Sequence, residues 1–348
     1  MTALDGATTS PSLRTRNASW LAAQAEAAAS GKVFDSIPEI DIGPLFEDDT
    51  DAWLPVADAI AAASSTVGFF YISGHGLSPA LLAKTFATSR RFFDLPMERK
   101  QAVSILNSDK MRGYTGLLDE NTDPDNDGDL HEAFDLAQDF AADSPEVAAD
   151  TYGWAVNQWP DLDGFRPQIV EYYDAIVSLA SVLYRGFALS LGLAPDHFDP
   201  MLDRPIGELR LLKYPPQPAD DERKVLGIGA HSDYDVFTIL ATDDNPALEI
   251  MSPTGDWIPA PPIAGSLLVN CGDLLQRWTN DIYRSAMHRV INGNETDRYA
   301  IVLFSNVNPY TVVEVLPTCE SDDRPARYEP VGAAAYVEAL MRDAYGVT

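Results

Sequence analysis

The chain has 348 residues, 46% hydrophobic and 22% charged, enough to bury a sizeable core as one large unit or two ordinary ones. Its formal net charge of −29 argues against nucleic acid and anionic lipid as partners, since both need basic surface. The 2 cysteines form neither a CxxC pair nor a disulfide framework, and no run approaches the roughly 18 apolar residues of a membrane span, so a soluble cytoplasmic protein is expected.

Residues 1–30 are polar and Ala-rich and read as a flexible N-terminal arm. Within it "SWLAAQAEAAASG" (19–31) reads as a short helix rather than a signal peptide, because Gln24 and Glu26 interrupt any compact apolar centre. "IPEIDI" (37–42) reads as a strand, 51–66 as a helix, and "VGFFYISGHG" (67–76) as a strand closed by a Gly turn. "SPALLAKTFATSRRFFDL" (78–95) combines a Ser-Pro start with apolar spacings of three and four, which predicts a helix. The acidic, turn-rich 118–130 reads as a loop, and 164–193 as a long amphipathic helix capped at Gly192. After residue 205 short β-branched and aromatic runs alternate with turn signals: "ELRLLKY", "GIGAHSD", "VFTILAT", "ALEIMS", "DWIPAP", "GSLLVNCGD", "HRVING", "RYAIVLFSNV" and "TVVEVLP". Strands at this spacing mean a sandwich or barrel. The expectation is an α+β protein: a helix-rich part over 31–204 with some strands joining the core, a β core over 205–332, and a C-terminal helix within 333–348. The three together make one structural unit.

Of the 5 histidines, His75 sits in a Gly turn and His197 at a helix start, both positions of structural type, while His131 stays open. His231 opens "HSDYD". If this run is a strand, His231, Asp233 and Asp235 share one face. His288 follows on a later strand-like segment and Arg298 comes ten residues after it. Two imidazoles and one carboxylate, with the remaining positions open, make the facial triad of non-haem Fe(II) oxygenases. A zinc hydrolase on the same triad, with Asp235 as the sequence-local base, is a remote alternative. "DPDNDG" (123–128) imitates the start of a calcium loop, but Phe134 stands where the bidentate glutamate is required.

These segments together resemble the Fe(II)- and 2-oxoglutarate-dependent oxygenases of the isopenicillin N synthase-like superfamily. "IPEIDIGPLF", "VGFFYISGHGL", "RRFFDLPMERK" and "RGYTGL" are similar to its N-terminal part. "LRLLKYPPQP", "GIGAHSDYDVFTIL", "GDWIPAPPIAGSLLVNCGDLLQRWTND" and "SAMHRVIN…DRYAIVLFSNVNP" are similar to its double-stranded β-helix (jelly-roll) core. The resemblance implies that His231, Asp233 and His288 hold Fe(II), that Arg298 pairs with the distal carboxylate of 2-oxoglutarate, and that Tyr214 donates its hydroxyl to the same co-substrate. It also implies that Arg112, Tyr114, Phe134 and Phe304 stand in positions suited to lining the substrate pocket.

Three departures stand out. Ala300 replaces the serine usual two residues after the arginine, Leu212 replaces an asparagine, and Asp235 replaces a glycine. For Asp235 three readings compete: an alternative ligand, an acidic group facing substrate, and an exposed loop residue. The function implied is hydroxylation, desaturation or cyclisation at an unactivated C–H bond of a small-molecule metabolite of secondary metabolism. Such a reaction consumes O₂ and 2-oxoglutarate and releases succinate and CO₂. The alternative within the superfamily is an isopenicillin N synthase-type oxidase that uses no 2-oxoglutarate; a binding module without catalysis is opposed by the complete triad. A monomer or weak homo-oligomer is expected.

Overall fold

The computed structural model describes residues 34–123, 126–217 and 225–344; the N-terminal arm and its expected Ala-rich helix lie outside them. Strand-forming runs from both halves of the chain assemble one eight-stranded sheet. Its members are β1 (Glu39–Asp41), β2 (Phe69–Ser73), β3 (Gly113–Thr115), β4 (Glu132–Leu136), β5 (Gly207–Tyr214), β7 (Phe237–Thr242), β10 (Leu267–Cys271) and β12 (Arg298–Ser305), in the order β1-β2-β10-β7-β12-β5-β4-β3. Only β1 and β2 pair parallel. A second, antiparallel sheet takes β6 (Ile228–His231), β8 (Leu248–Met251), β9 (Trp257–Pro259) and β11 (His288–Val290), in the order β6-β11-β8-β9.

Alternation along each strand divides the protein into two cores. One face of the large sheet, with Phe70, Ile72, Phe134, Leu209, Leu211, Ile239, Ile301 and Leu303, packs under helices. These are α1 (Trp53–Thr66), α2 (Pro79–Phe93) and the 26-residue α3 (Phe165–Ser190). Proline sits at the start of α2, and Gly192 at φ +69° follows the end of α3, as the sequence predicts. The other face, with Phe69, Leu212, Tyr214 and Val302, meets Ile228, Leu248, Ile250 and Val290 of the small sheet. A cavity lies between the two sheets.

Three expectations need correction. The run "AHSDYDVF" is not one strand: β6 ends at His231 and β7 begins at Phe237. Between them the chain turns against the segment after β10, where Gly272, Asp273 and Leu274 donate backbone bonds to the carbonyls of Val236, Asp233 and Asp235 at 2.9–3.0 Å. Within the stretch expected as consecutive strands, Asp273–Trp278 forms a helix, α4. "TVVEVLP" contributes only the two-residue β13 (Val312–Val313), paired with β14 (Val331–Gly332). The closing helix α5 (Ala333–Ala344) is present and brings Val337 and Met341 to the cavity. Among the described residues no helix is long and apolar enough to cross a membrane.

Candidate active site

Register brings the two histidines together. His231 at the end of β6 and His288 at the start of β11 are direct cross-strand partners, and their ring centroids lie 4.2 Å apart. Each ring is aimed by its Nδ1, which meets a backbone carbonyl: Gly229 at 2.8 Å for His231, Ala286 at 3.2 Å for His288. Such a bond fixes the tautomer and leaves Nε2 for a ligand. Phe69 stands edge-on to the His288 ring at 5.2 Å.

Asp233 comes from the turn, and the turn's backbone bonds align it rather than strand alternation. Its Oδ1 lies 3.7 Å from His231 Nε2 and 3.6 Å from His288 Nε2. Its Oδ2 accepts from Asn270 Nδ2 at 2.8 Å and from the Thr238 hydroxyl. Burial works against its ionised form, but His288, His231, Asn270 and Thr238 outweigh it and hold the carboxyl below the usual range. One donor atom from each of His231, Asp233 and His288 lies within 4.8 Å of the others, and among the described residues this is the one such cluster. Two imidazoles and a carboxylate whose donor atoms converge beside a cavity fit a divalent iron.

Arg298 and Tyr214 also form a cross-strand pair, between β12 and β5. The arginine is 2% exposed, its guanidinium lies 4.9 Å over the Tyr214 ring, and its Nε and Nη1 are left without a hydrogen-bond partner. Burial, opposed by the charges of Arg298 and Arg210, pushes the Tyr214 hydroxyl up to about 12, so it stays a donor. Orphaned guanidinium donors on a cavity wall fit the carboxylate of a bound dicarboxylate. Ala300 lies on the same inward face, paired with Leu212 and Thr242, and offers a methyl only.

Asp235 is not an exposed loop residue, and it stands outside the ligand cluster. It is 3% exposed, its Oδ2 sits 3.3 Å from Thr238 Oγ1, and its Oδ1 has no partner. Burial, then the neighbouring Asp233, raise its carboxyl well above the usual range. It packs so closely on Gly272 that a Cβ there would collide with the Asp235 carbonyl and carboxylate. Phe304 lines the cavity. Phe134 and Tyr114 do not: they pack with Phe92 on the helix side, where the Tyr114 hydroxyl donates to Glu132 Oε1 at 2.6 Å. Arg112 is wholly buried behind Glu208, to which it donates. Position in sequence suggests pocket residues, but β4 parity turns Phe134 away and points Asp135 inward.

Several cavity residues escape notice in the sequence: Thr238 and Asn270 beneath Asp233, and Glu120, Asp135, Glu208 and Arg210 along one wall. A usable signal is present in "GELRLLKY", where Glu208 and Arg210 alternate with Leu209 and Leu211 and fall on one strand face with Leu212 and Tyr214.

Comparison with known proteins decides the family. Residues 206–307 match the model of the 2OG-Fe(II) oxygenase superfamily, and 37–162 that of the non-haem dioxygenase in morphine synthesis N-terminal family. The chain is 32% identical over 315 residues to the 2-oxoglutarate-Fe(II) type oxidoreductase hxnY of Emericella nidulans, covering 89% of this chain and 90% of that one. It therefore belongs to the Fe(II)- and 2-oxoglutarate-dependent oxygenases of the isopenicillin N synthase-like superfamily. The 2-oxoglutarate-dependent dioxygenase citB of Monascus ruber is 38% identical over 282 residues, 78% of this chain and 85% of citB. Among solved structures, a full-length Neurospora crassa protein in complex with alpha-KG superposes with a TM-score of 0.78 at 30% identity, covering 88% of this chain and 95% of that one. The oxygenase uses Fe(II), 2-oxoglutarate and O₂. The zinc-hydrolase reading is thereby set aside.

Proposed function

We propose that this oxygenase hydroxylates an unactivated C–H bond of a small-molecule metabolite of secondary metabolism, with succinate and CO₂ as co-products. Desaturation or ring closure is the second outcome open to the same site. The observation that carries the reading is the pairing of a complete triad, His231, Asp233 and His288, with the partnerless donors of Arg298 across one cavity. Those donors give a dicarboxylate a place, which favours 2-oxoglutarate turnover over an oxidase that takes all its electrons from substrate.

Fe(II), held by His231 Nε2, Asp233 Oδ1 and His288 Nε2, supplies O₂ activation when bound. The chain's own part is positioning. Thr238 and Asn270 keep Asp233 ionised and oriented, and the Nδ1 bonds keep both imidazoles in the ligating tautomer. Arg298 clamps the distal carboxylate while the Tyr214 hydroxyl donates to it, and both lie where water is excluded. Leu212 and Ala300 leave the rest of that wall apolar, so Arg298 carries most of the recognition. The β core over 205–332 supplies the triad, Arg298 and Tyr214, and we read its facing sheets as the double-stranded β-helix.

The test is aerobic incubation of the Fe(II) protein with 2-oxoglutarate and a metabolite panel. The expected result is substrate-stimulated succinate release and a product that gains one oxygen atom. A product lacking two hydrogens and no added oxygen would identify desaturation or ring closure instead. O₂ consumption with no succinate would identify the oxidase.

A further inference from the structure

The cavity has two chemically opposite ends. Along β12, Arg298 and Phe304 are six residues and roughly 20 Å apart. At the Arg298 end the wall is cationic. Near Phe304 the residues that line it include three buried carboxylates, Glu120, Asp135 and Glu208, and one guanidinium, Arg210, while Arg112 pairs with Glu208 from behind.

That guanidinium is already engaged. Arg210 Nε and Nη2 donate to Asp135 at 2.6 and 3.3 Å, and Nη1 reaches both oxygens of Glu120 at 3.1 Å. The carboxylates are not saturated in the same way. A carboxylate offers about four acceptor sites. Asp135 accepts from Arg210; Glu208 accepts from Arg112 and from Tyr152, the latter at 3.0 Å. Glu120 has His131 as its second partner, at 3.2 Å. Arg112 and His131 stand behind this wall and not among the residues that line the cavity. Burial first, and then Glu120 and Glu208, push the Asp135 carboxyl up to about 6 against the opposing pull of Arg210. At Glu120, by contrast, burial is outweighed by Arg210 and His131, which hold its carboxyl below the usual range.

A second observation points to a ligand. Thr122 lines the same cavity and is only 8% exposed, and its hydroxyl oxygen has no partner. A buried hydroxyl left this way acts as one more acceptor for a donor that enters the cavity. The adjoining surface of Leu212, Val302, Phe304, Val337 and Met341 is apolar.

We propose that the substrate is an organic cation, an ammonium or guanidinium on an apolar body, and that the Glu120–Asp135–Glu208 wall with Thr122 receives its N–H donors. A planar guanidinium matches these carboxylates especially well, because its donors are arranged as a fork. An anionic substrate would meet three carboxylates whose neighbouring guanidinia, Arg210 and Arg112, are already committed to them. The proposal rests on the oxygenase reading, since it needs the cavity wall to face the reacting carbon.

The test compares matched probes on the Fe(II)- and 2-oxoglutarate-loaded protein under anaerobic calorimetry: hexylguanidinium, hexylammonium, the neutral hexylurea, and heptanoate. At least one cation should bind ten-fold or more tightly than hexylurea, with heptanoate weakest. Asp135→Asn should reduce that preference several-fold. Hexylurea or heptanoate binding as well as the cations overturns the proposal, as does absence of binding by all four probes while 2-oxoglutarate still binds. If Asp135→Asn does not fold, the ranking on the unaltered protein decides alone. Slow succinate formation without any probe, measured in the same preparation, reports whether the oxygenase reading stands, so the two failures are separable.

Discussion

The helix-side and cavity-side faces of the eight-stranded sheet are made by alternate residues of the same strands, yet they carry opposite chemistry. On β5 the helix side holds Leu209, Leu211 and, at the strand's end, Lys213 beside Glu132, and the cavity side holds Glu208, Arg210, Leu212 and Tyr214. On β12 the corresponding sets are Tyr299, Ile301 and Leu303 against Arg298, Ala300, Val302 and Phe304. Both faces are buried, so burial does not distinguish them. The difference is what each face meets: helices that supply apolar surface, or a cavity in which polar groups remain incompletely partnered. One face packs mainly apolar side chains against helices, with the buried Lys100–Glu132 pair among them; the other lines the cavity with buried charge.

Substitutions on the two faces should therefore fail in different ways. The largest effect is expected at the proposed metal ligands. His231→Ala or Asp233→Ala should abolish Fe(II) binding in calorimetry together with substrate-stimulated succinate release, and full activity in either would falsify the triad. Thr238→Val removes a donor to Asp233 and should cost about 10–100-fold in metal affinity or activity.

At the far end of the cavity, Arg298→Ala should raise the KM for 2-oxoglutarate by about 30-fold or more, since one truncated buried charge contact costs about 2 kcal/mol or above. An unchanged KM would return the oxidase reading. On the helix side, Phe134→Ala removes a buried ring that packs on Phe92 and Phe165 and should cost about 3–5 kcal/mol in denaturant unfolding. The KM for 2-oxoglutarate should not move with it. If it does, the two faces are not separable.

The smallest effect is a pH slope. The Asp135 carboxyl is raised to about 6 in the folded protein, above the value near 4 of an unfolded aspartate. A raised carboxyl favours folding fully below the unfolded pKa, and that contribution is lost as pH rises through the folded one. The stability of the unaltered protein minus that of Asp135→Asn should therefore decline between about pH 4 and pH 6. A flat difference would show that burial and the neighbouring carboxylates do not raise Asp135.

Much of this is legible in the chain itself. The helices α2 and α3 carry their own start and stop signals, and most core strands announce themselves by β-branched runs between turns. The triad residues can be picked out because the chain has few histidines and two of them fall in strand-like segments. Asp235 is also visible, as a departure, but its place is not. Whether it meets solvent, substrate or a neighbouring strand depends on Gly272, 37 residues on, approaching too closely for any side chain. Phe134 misleads for a related reason: residues 132–136 sit beside an acidic loop, and nothing local fixes which face of β4 looks inward.

The sequence by itself determined the kinds of groups available and most of the run of helices and strands, because residue type and periodicity are local properties. Tertiary structure decided which groups meet. Register across β6 and β11 opposes His231 to His288, and register across β5 and β12 opposes Tyr214 to Arg298. The turn that carries Asp233 is held by backbone bonds to Asp273 and Leu274, far along the chain. The acidic wall gathers Glu120, Asp135 and Glu208 from three separate segments around Arg210 and Arg112. Non-local pairing of this kind has no periodic trace in any one stretch, since each strand specifies its own two faces but not the strand it will lie beside.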